Sequence, residues 1–190
     1  MPPYRTTDEP HADRPPRLVP NRLFPHYTHI PGATPHPVGD PAGHSFGRQE
    51  PACDTPDPAN WRACERFLWG VDLFNAGYYW EAHEAWEAVW IAAGRRGPTA
   101  DFLKALIKLA AAGVKLYEQN PSGARRHLRR ARELFVAVNA ASPPDAGRMF
   151  GLDAAALGES AGQMLQRTLP AGVPCQRGPT PVLAIALRPR

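Results

Sequence analysis

The sequence predicts an all-α fold: an antiparallel bundle of four to five helices behind an irregular, Pro-rich N-terminal arm. Three observations carry this. Apolar residues recur at helical spacing from about residue 58 onward, glycines and prolines punctuate the ends of those runs, and 14 of the 23 prolines crowd into residues 1–58. Proline fixes φ and removes a backbone donor, so the first 58 residues cannot form regular helix or sheet. Four stretches follow: a disordered tail over 1–22, an irregular Pro/His-rich arm over 23–57, a helical domain over 58–170 and an extended C-terminal tail over 171–190.

The first helix is expected from Pro58, with Asp57 as N-cap. Trp61, Cys64, Phe67, Leu68, Val71 and Phe74 share one arc, and Gly77 stops the helix. A second helix runs from Tyr78 to about Ala93, halted by Gly94. A third opens after Thr99 and continues to Gln119. Its apolar arc, including Leu103, Leu106, Ile107, Ala110 and Val114, covers about half the circumference, which makes it the central helix. Asn120 and Pro121 supply cap and first-position proline for a fourth, ending near Asn139. A weaker fifth spans 153–168. The tail "TPVLAIALRPR" alternates apolar residues and can dock as an extended segment.

Charge is uneven. Residues 1–58 hold five Arg against seven Asp and Glu, a net of −2, so the remaining 132 residues carry +6. Five arginines in "ARRHLRRAR" raise a nucleic-acid reading. They lie opposite Ala124, Leu128, Ala131, Phe135 and Val138, as the wet side of one amphipathic helix, and no aromatic interleaving accompanies them. The sequence therefore argues against nucleic acid. Its N-terminus has no apolar signal core, and no apolar run approaches the roughly 20 residues that span a bilayer. Cys53, Cys64 and Cys175 form neither a CxxC pair nor a disulfide framework. A soluble cytoplasmic protein is expected, with no membrane partner and with its oligomeric state open.

"YYWEAHEAWEAVW", residues 78–90, concentrates the chemistry. At about 100° per residue, Glu87 lies about 40° from His83, within the arc of Tyr79, Trp80, Trp86 and Trp90. Glu84 lies about 100° away, at the edge of that arc, and Glu81, at about 160°, points away. Two ligand types one turn apart suit a divalent metal, zinc or iron. His83 and Glu87 are then ligands and Glu84 and Glu87 the catalytic carboxylates, with Asn75, Tyr79, Trp80, Trp86 and Trp90 lining a pocket. The second histidine of HExxH and the Glu-x-x-His of di-iron bundles are both missing. Alternatively, His83 and Glu87 only satisfy each other in the core. Either way both are expected to be mostly buried. In the arm, His36, Asp40 and His44 recur every four residues and can complete a metal site if the chain turns at Gly39 and Gly43. The arm is expected to pack near Trp80, His83 and Trp86.

The string "FNAGYYWEAHEAWE", followed by "FLKALIKLAAAG" and "NPSGARRHL", resembles the bacterial and archaeal DUF309 family. Phe74, Asn75, Gly77, Trp80, Glu81, His83, Glu84, Trp86 and Glu87 match its pattern position by position, and the likeness extends over residues 61 to about 157. The resemblance implies a small all-α fold of four to five helices. Members carry the label of predicted metal-dependent hydrolases. Lys104 and Lys108 stand where the family leads one to expect glutamines. Two functions are compatible with these residues: a metal-dependent hydrolase, or a non-catalytic helical module that binds a small molecule or a protein.

Overall fold

Gly77 adopts φ 89°, a left-handed conformation that only glycine takes without strain, and there the chain reverses from the first helix to the second. The computed structural model describes residues 15–141, 148–167, 169 and 179–190. Among these it contains α1 (Glu65–Ala76), α2 (Tyr79–Ala92), α3 (Pro98–Tyr117), α4 (Pro121–Ala141) and α5 (Ala154–Gln166), with no strand. The fold is all-α. Each helix packs on the next, and α1 and α2 run antiparallel. The indole N–H of Trp86 donates to the Phe67 carbonyl (3.3 Å), and the Phe74 ring meets Tyr79 (5.3 Å) and Trp86 (5.7 Å).

Local chemistry sets most boundaries. Pro98 occupies the first turn of α3, and Asn120 caps α4 by accepting the Gly123 N–H (2.8 Å). Asp153 caps α5 through the Ala156 N–H. The start of the first helix departs from expectation. Asp57 takes the Ala59 N–H in a local turn, Trp61–Ala63 form one 3-10 turn, and Cys64 breaks the path before α1 begins at Glu65. A short polar side chain can satisfy the backbone of a turn as well as that of a helix, and here the turn wins.

The core centres on α3, where Phe102, Leu103, Leu106, Leu109 and Leu116 are completely buried. Gly113 makes this possible. A Cβ there would lie 2.4 Å from the Tyr79 ring, so its absence lets α3 close onto α2.

Residues 1–14 of the expected tail lie outside the described residues, but 17–22 are not a loose end. The Leu18 and Val19 N–H groups donate to the buried Asp72 carboxylate (both 2.8 Å), and the Arg17 guanidinium lies 4.3 Å over the Phe24 ring. Burial holds the Asp72 carboxyl above its usual range, against the pull of those two N–H groups and Arg17. Phe24 stacks on Trp69 and Tyr78 (5.3 and 5.0 Å). Cys53 and Cys64, distant in sequence, come into thiol contact, and burial together with that neighbour pushes Cys53 up.

At the other end, 171–178 lie outside the described residues. Residues 179–190 pack against the hairpin without regular structure, burying Leu183, Ile185 and Leu187. None of the described helices is long and apolar enough to cross a membrane.

Candidate metal centre

On α2, one turn of helix brings His83, Glu84 and Glu87 together, with one ligand atom from each within 4.8 Å of the others. His83 Nδ1 lies 3.3 Å from Glu84 Oε1. A carboxylate only accepts, so Nδ1 carries the proton and the Nε2 lone pair remains for an ion. The Glu87 carboxylate has no hydrogen bond among the described residues. The Trp90 indole N–H, one turn further on, is buried without an acceptor. Such a stranded donor costs about 1–3 kcal/mol unless something reaches it. Two carboxylates, one imidazole lone pair and an orphaned donor fit a divalent cation with its own ligands.

The group is more open than the sequence suggests. The His83 side chain is 29% exposed and Glu84 46%, with Glu87 intermediate, so His83 and Glu87 lie within reach of a shared ion as expected but are not a pair enclosed in the core. The buried carboxylate is Glu81, which the helical wheel had pointing outward. Its Oε2 accepts from Thr28 Oγ1 (2.7 Å), and its Oε1 accepts from the His29 N–H (2.7 Å) and faces His44 Nε2 (3.1 Å). The arm covers that side of α2, and a wheel built from one helix cannot register what lies over it.

The arm histidines therefore sit elsewhere than expected. His44 pairs with Glu81 instead of joining His83. His36 Nδ1 accepts the Val38 and Gly39 N–H groups (3.3 and 3.1 Å), which leaves its proton on Nε2, the wrong nitrogen state for a ligand. Asp40 closes a turn on the Ala42 N–H (2.8 Å). None of the three belongs to the His83 group. The arm contacts Trp80, whose ring meets His29 and His36 (5.0 and 5.5 Å), together with Trp69 and Glu81.

Of the five expected pocket residues, Trp80 alone lines the groove beside this group. Asn75 exchanges two hydrogen bonds with the Leu187 backbone (both 2.8 Å), and the Tyr79 hydroxyl accepts the Val182 and Leu183 N–H groups (2.9 and 3.1 Å). Both anchor the C-terminal segment. Trp86 is wholly core, and Trp90 is half-buried. The groove measures about 660 Å³. The arm walls one side, α1 and α2 form the other, and Glu81, Glu84 and Glu87 all border it.

Residues 67–127 match the family described as Domain of unknown function (DUF309). Residues 67–127 form a DUF309 domain. The match is shorter at both ends than the motif likeness over 61 to about 157, and it covers α2 and α3 entirely, with nearly all of α1 and the start of α4. No curated protein and no solved structure matches the chain.

Within the DUF309 domain, sequence reading missed two groups. Glu81 lay in the motif but was assigned outward. His127 lay inside the arginine stripe. Burial lowers its pKa, as do Lys108, Lys115, Arg126 and His83, which places cations of α3 and α4 near the open group. His29 is also lowered, first by burial and then by His36, against the Pro35 carbonyl and Glu81. A histidine with a depressed folded pKa contributes stability above its unfolded value, about 6.5, and loses it as pH falls. Between pH 7.5 and 5.5 the urea midpoint is thus expected to drop, and to drop less in His29→Asn. His127 contributes equally to both proteins, so an identical drop would remove His29 as a source.

Proposed function

We propose that this DUF309 domain is a metal-dependent hydrolase, with His83 and Glu87 as ligands and Glu84 orienting His83 and moving protons. The observation that carries the reading is the convergence of three donors within 4.8 Å on one turn of α2, beside an open groove. Two protein ligands, with a third carboxylate beside them, leave coordination positions for water and substrate, as a catalytic site needs. Bound there, a divalent ion supplies Lewis acidity and lowers the pKa of water toward neutrality. Glu84 is the more exposed of the two carboxylates and hydrogen-bonds the ligand histidine, so it can accept a proton at the groove mouth while holding the ring's orientation. Zinc and iron both accept such a donor set. A cytoplasmic setting belongs to the same reading, since the three cysteines make no disulfide framework in the sequence.

Zinc titrated into chelator-treated protein is expected to bind at one ion per chain. At a zinc concentration one hundred times Kd the fold gains about 2.7 kcal/mol by mass action. His83→Ala with Glu87→Gln is expected to weaken binding at least a hundredfold. Zinc uptake by the double variant equal to wild type would end the proposal.

One observation favours a second reading, a non-catalytic binding module. The buried histidine–glutamate pair is His44–Glu81, both side chains under one-tenth exposed, and it fastens the arm. A chain that binds no metal but takes a ligand in the groove would be that module.

A further inference from the structure

We propose that Cys53 and Cys64 are a thiol modification site: they form a reversible disulfide, made by exchange with a low-molecular-weight disulfide, that fastens the end of the arm to the start of α1. The proposal stands apart from the metal reading, since neither cysteine belongs to the His83 group.

The chain path brings the two thiols together. Arg66, in the first turn of α1, donates to the Pro51 carbonyl (3.0 Å) and pairs with Glu50 (2.6 Å), so residues 50 and 51 lie beside residue 66. Two residues further along the arm and two residues back from Arg66 stand Cys53 and Cys64, whose side chains are within hydrogen-bonding reach of each other. Cys64 belongs neither to the 3-10 turn nor to α1, with φ −89° and ψ 80°. No helical turn therefore restricts its χ1 rotation toward Cys53. Both cysteines border one open cleft of about 950 Å³, through which a small disulfide can reach them.

The way this part of the arm is held shows what the bond would add. From Phe46 to Asn60 every residue is exposed except Cys53, Pro56 and Pro58, which are partly buried. Cys53 and Cys64 both pack against the hydrophobic core. The ion pairs that also hold the segment, Arg22 and Arg66 to Glu50, involve a carboxylate side chain that is 49% exposed, and exposed pairs contribute little. A segment attached in this way opens locally at low cost. A covalent bond at its core contact closes that route.

Burial and the neighbouring Cys64 push the Cys53 thiol up, so the first attack falls to Cys64. Its thiolate attacks one sulfur of oxidised glutathione, breaks the S–S bond and releases one glutathione. Cys64 then no longer bears a charge that opposes ionisation of Cys53. The Cys53 thiolate attacks the Cys64 sulfur of the mixed disulfide and releases the second glutathione. Two electrons pass from the protein to glutathione, and the two thiol protons end on the two reduced glutathiones. In a reducing compartment such a bond is transient and follows the redox poise.

The test equilibrates the full chain, in EDTA, with oxidised and reduced glutathione at graded ratios, followed by peptide mapping. A Cys53–Cys64 linkage that excludes Cys175 is expected, reversed by dithiothreitol. Its equilibrium constant is expected to be at least about tenfold larger in the native chain than in the urea-unfolded chain. Oxidation is then expected to raise the urea midpoint and to slow proteolysis between Phe46 and Asn60 at least about fivefold. Cys53→Ser is expected to stop at the mixed disulfide on Cys64, which the wild type does not accumulate. Its melting temperature in dithiothreitol checks the fold, and the wild-type map decides alone if that variant unfolds. Three results overturn the proposal: thiols or separate glutathione adducts persisting at Cys53 and Cys64 under oxidised glutathione, a bond through Cys175 instead, or closure no more favourable in the native chain than in urea.

Discussion

Glu81→Ala is expected to lower the unfolding free energy by about 3–5 kcal/mol, the penalty for removing one partner from a buried charged network. The carboxylate accepts from Thr28 Oγ1 and the His29 N–H at 2.7 Å and faces His44 Nε2 at 3.1 Å. Thr28 and His29 are 2% and 5% exposed, so truncation strands donors that water cannot reach. The loss should also free the arm. Proteolysis between residues 23 and 48 is expected to accelerate in the variant, with α1–α4 still protected. Urea unfolding measures the first effect, and a change below about 1 kcal/mol, the range of an exposed ion pair, would mean that the arm is held by apolar packing alone. The comparison within the protein is His83→Ala. That side chain is 29% exposed and pairs only with the exposed Glu84, so about 1 kcal/mol or less is expected, in contrast to a buried pair.

Trp86→Ala should cost a similar amount, about 3–5 kcal/mol, for a different reason. Trp86 is wholly buried and packs where Gly70 leaves room, since a Cβ at Gly70 would lie 2.3 Å from its indole nitrogen. The surrounding Phe67 and Phe74 are held by their own neighbours, so the cavity cannot collapse fully. Its N–H to the Phe67 carbonyl is lost as well. Thermal and urea unfolding with an unchanged m-value would show a pure packing effect. A loss under about 1 kcal/mol would show that the α1–α2 interface repacks. Neither variant removes a donor of the His83 group, so zinc binding should persist in whatever fraction stays folded.

Both expectations start from residues of the same thirteen-residue stretch, and they show how far that stretch can be read alone. Helical period is a local property. Spacings of one, three and four residues on a helix put His83, Glu84 and Glu87 within reach of a shared ion whatever surrounds the helix. Caps are local too: Gly77 needs φ > 0, Asn120 bonds the N–H three residues on, and Pro98 has no donor to lose. From such interactions the sequence by itself determined the five helices, their order, the central place of α3 and the grouping of the three candidate ligands.

What covers each helix face is a long-range property, and only the tertiary structure decided it. The arm has no period from which a wheel or a strand register could be drawn, because its prolines forbid both. Its path brings Thr28, His29 and His44 onto Glu81, some forty to fifty residues away, and turns an outward carboxylate into the buried one. The same path leaves His83 and Glu87 partly exposed and builds the groove between arm and hairpin. The C-terminal segment likewise claims Asn75 and Tyr79, which a motif shared with candidate ligands had suggested for a pocket. Burial and pairing depend on which distant backbone groups arrive at a side chain, and that information resides in the packing of irregular segments that carry no periodic signal.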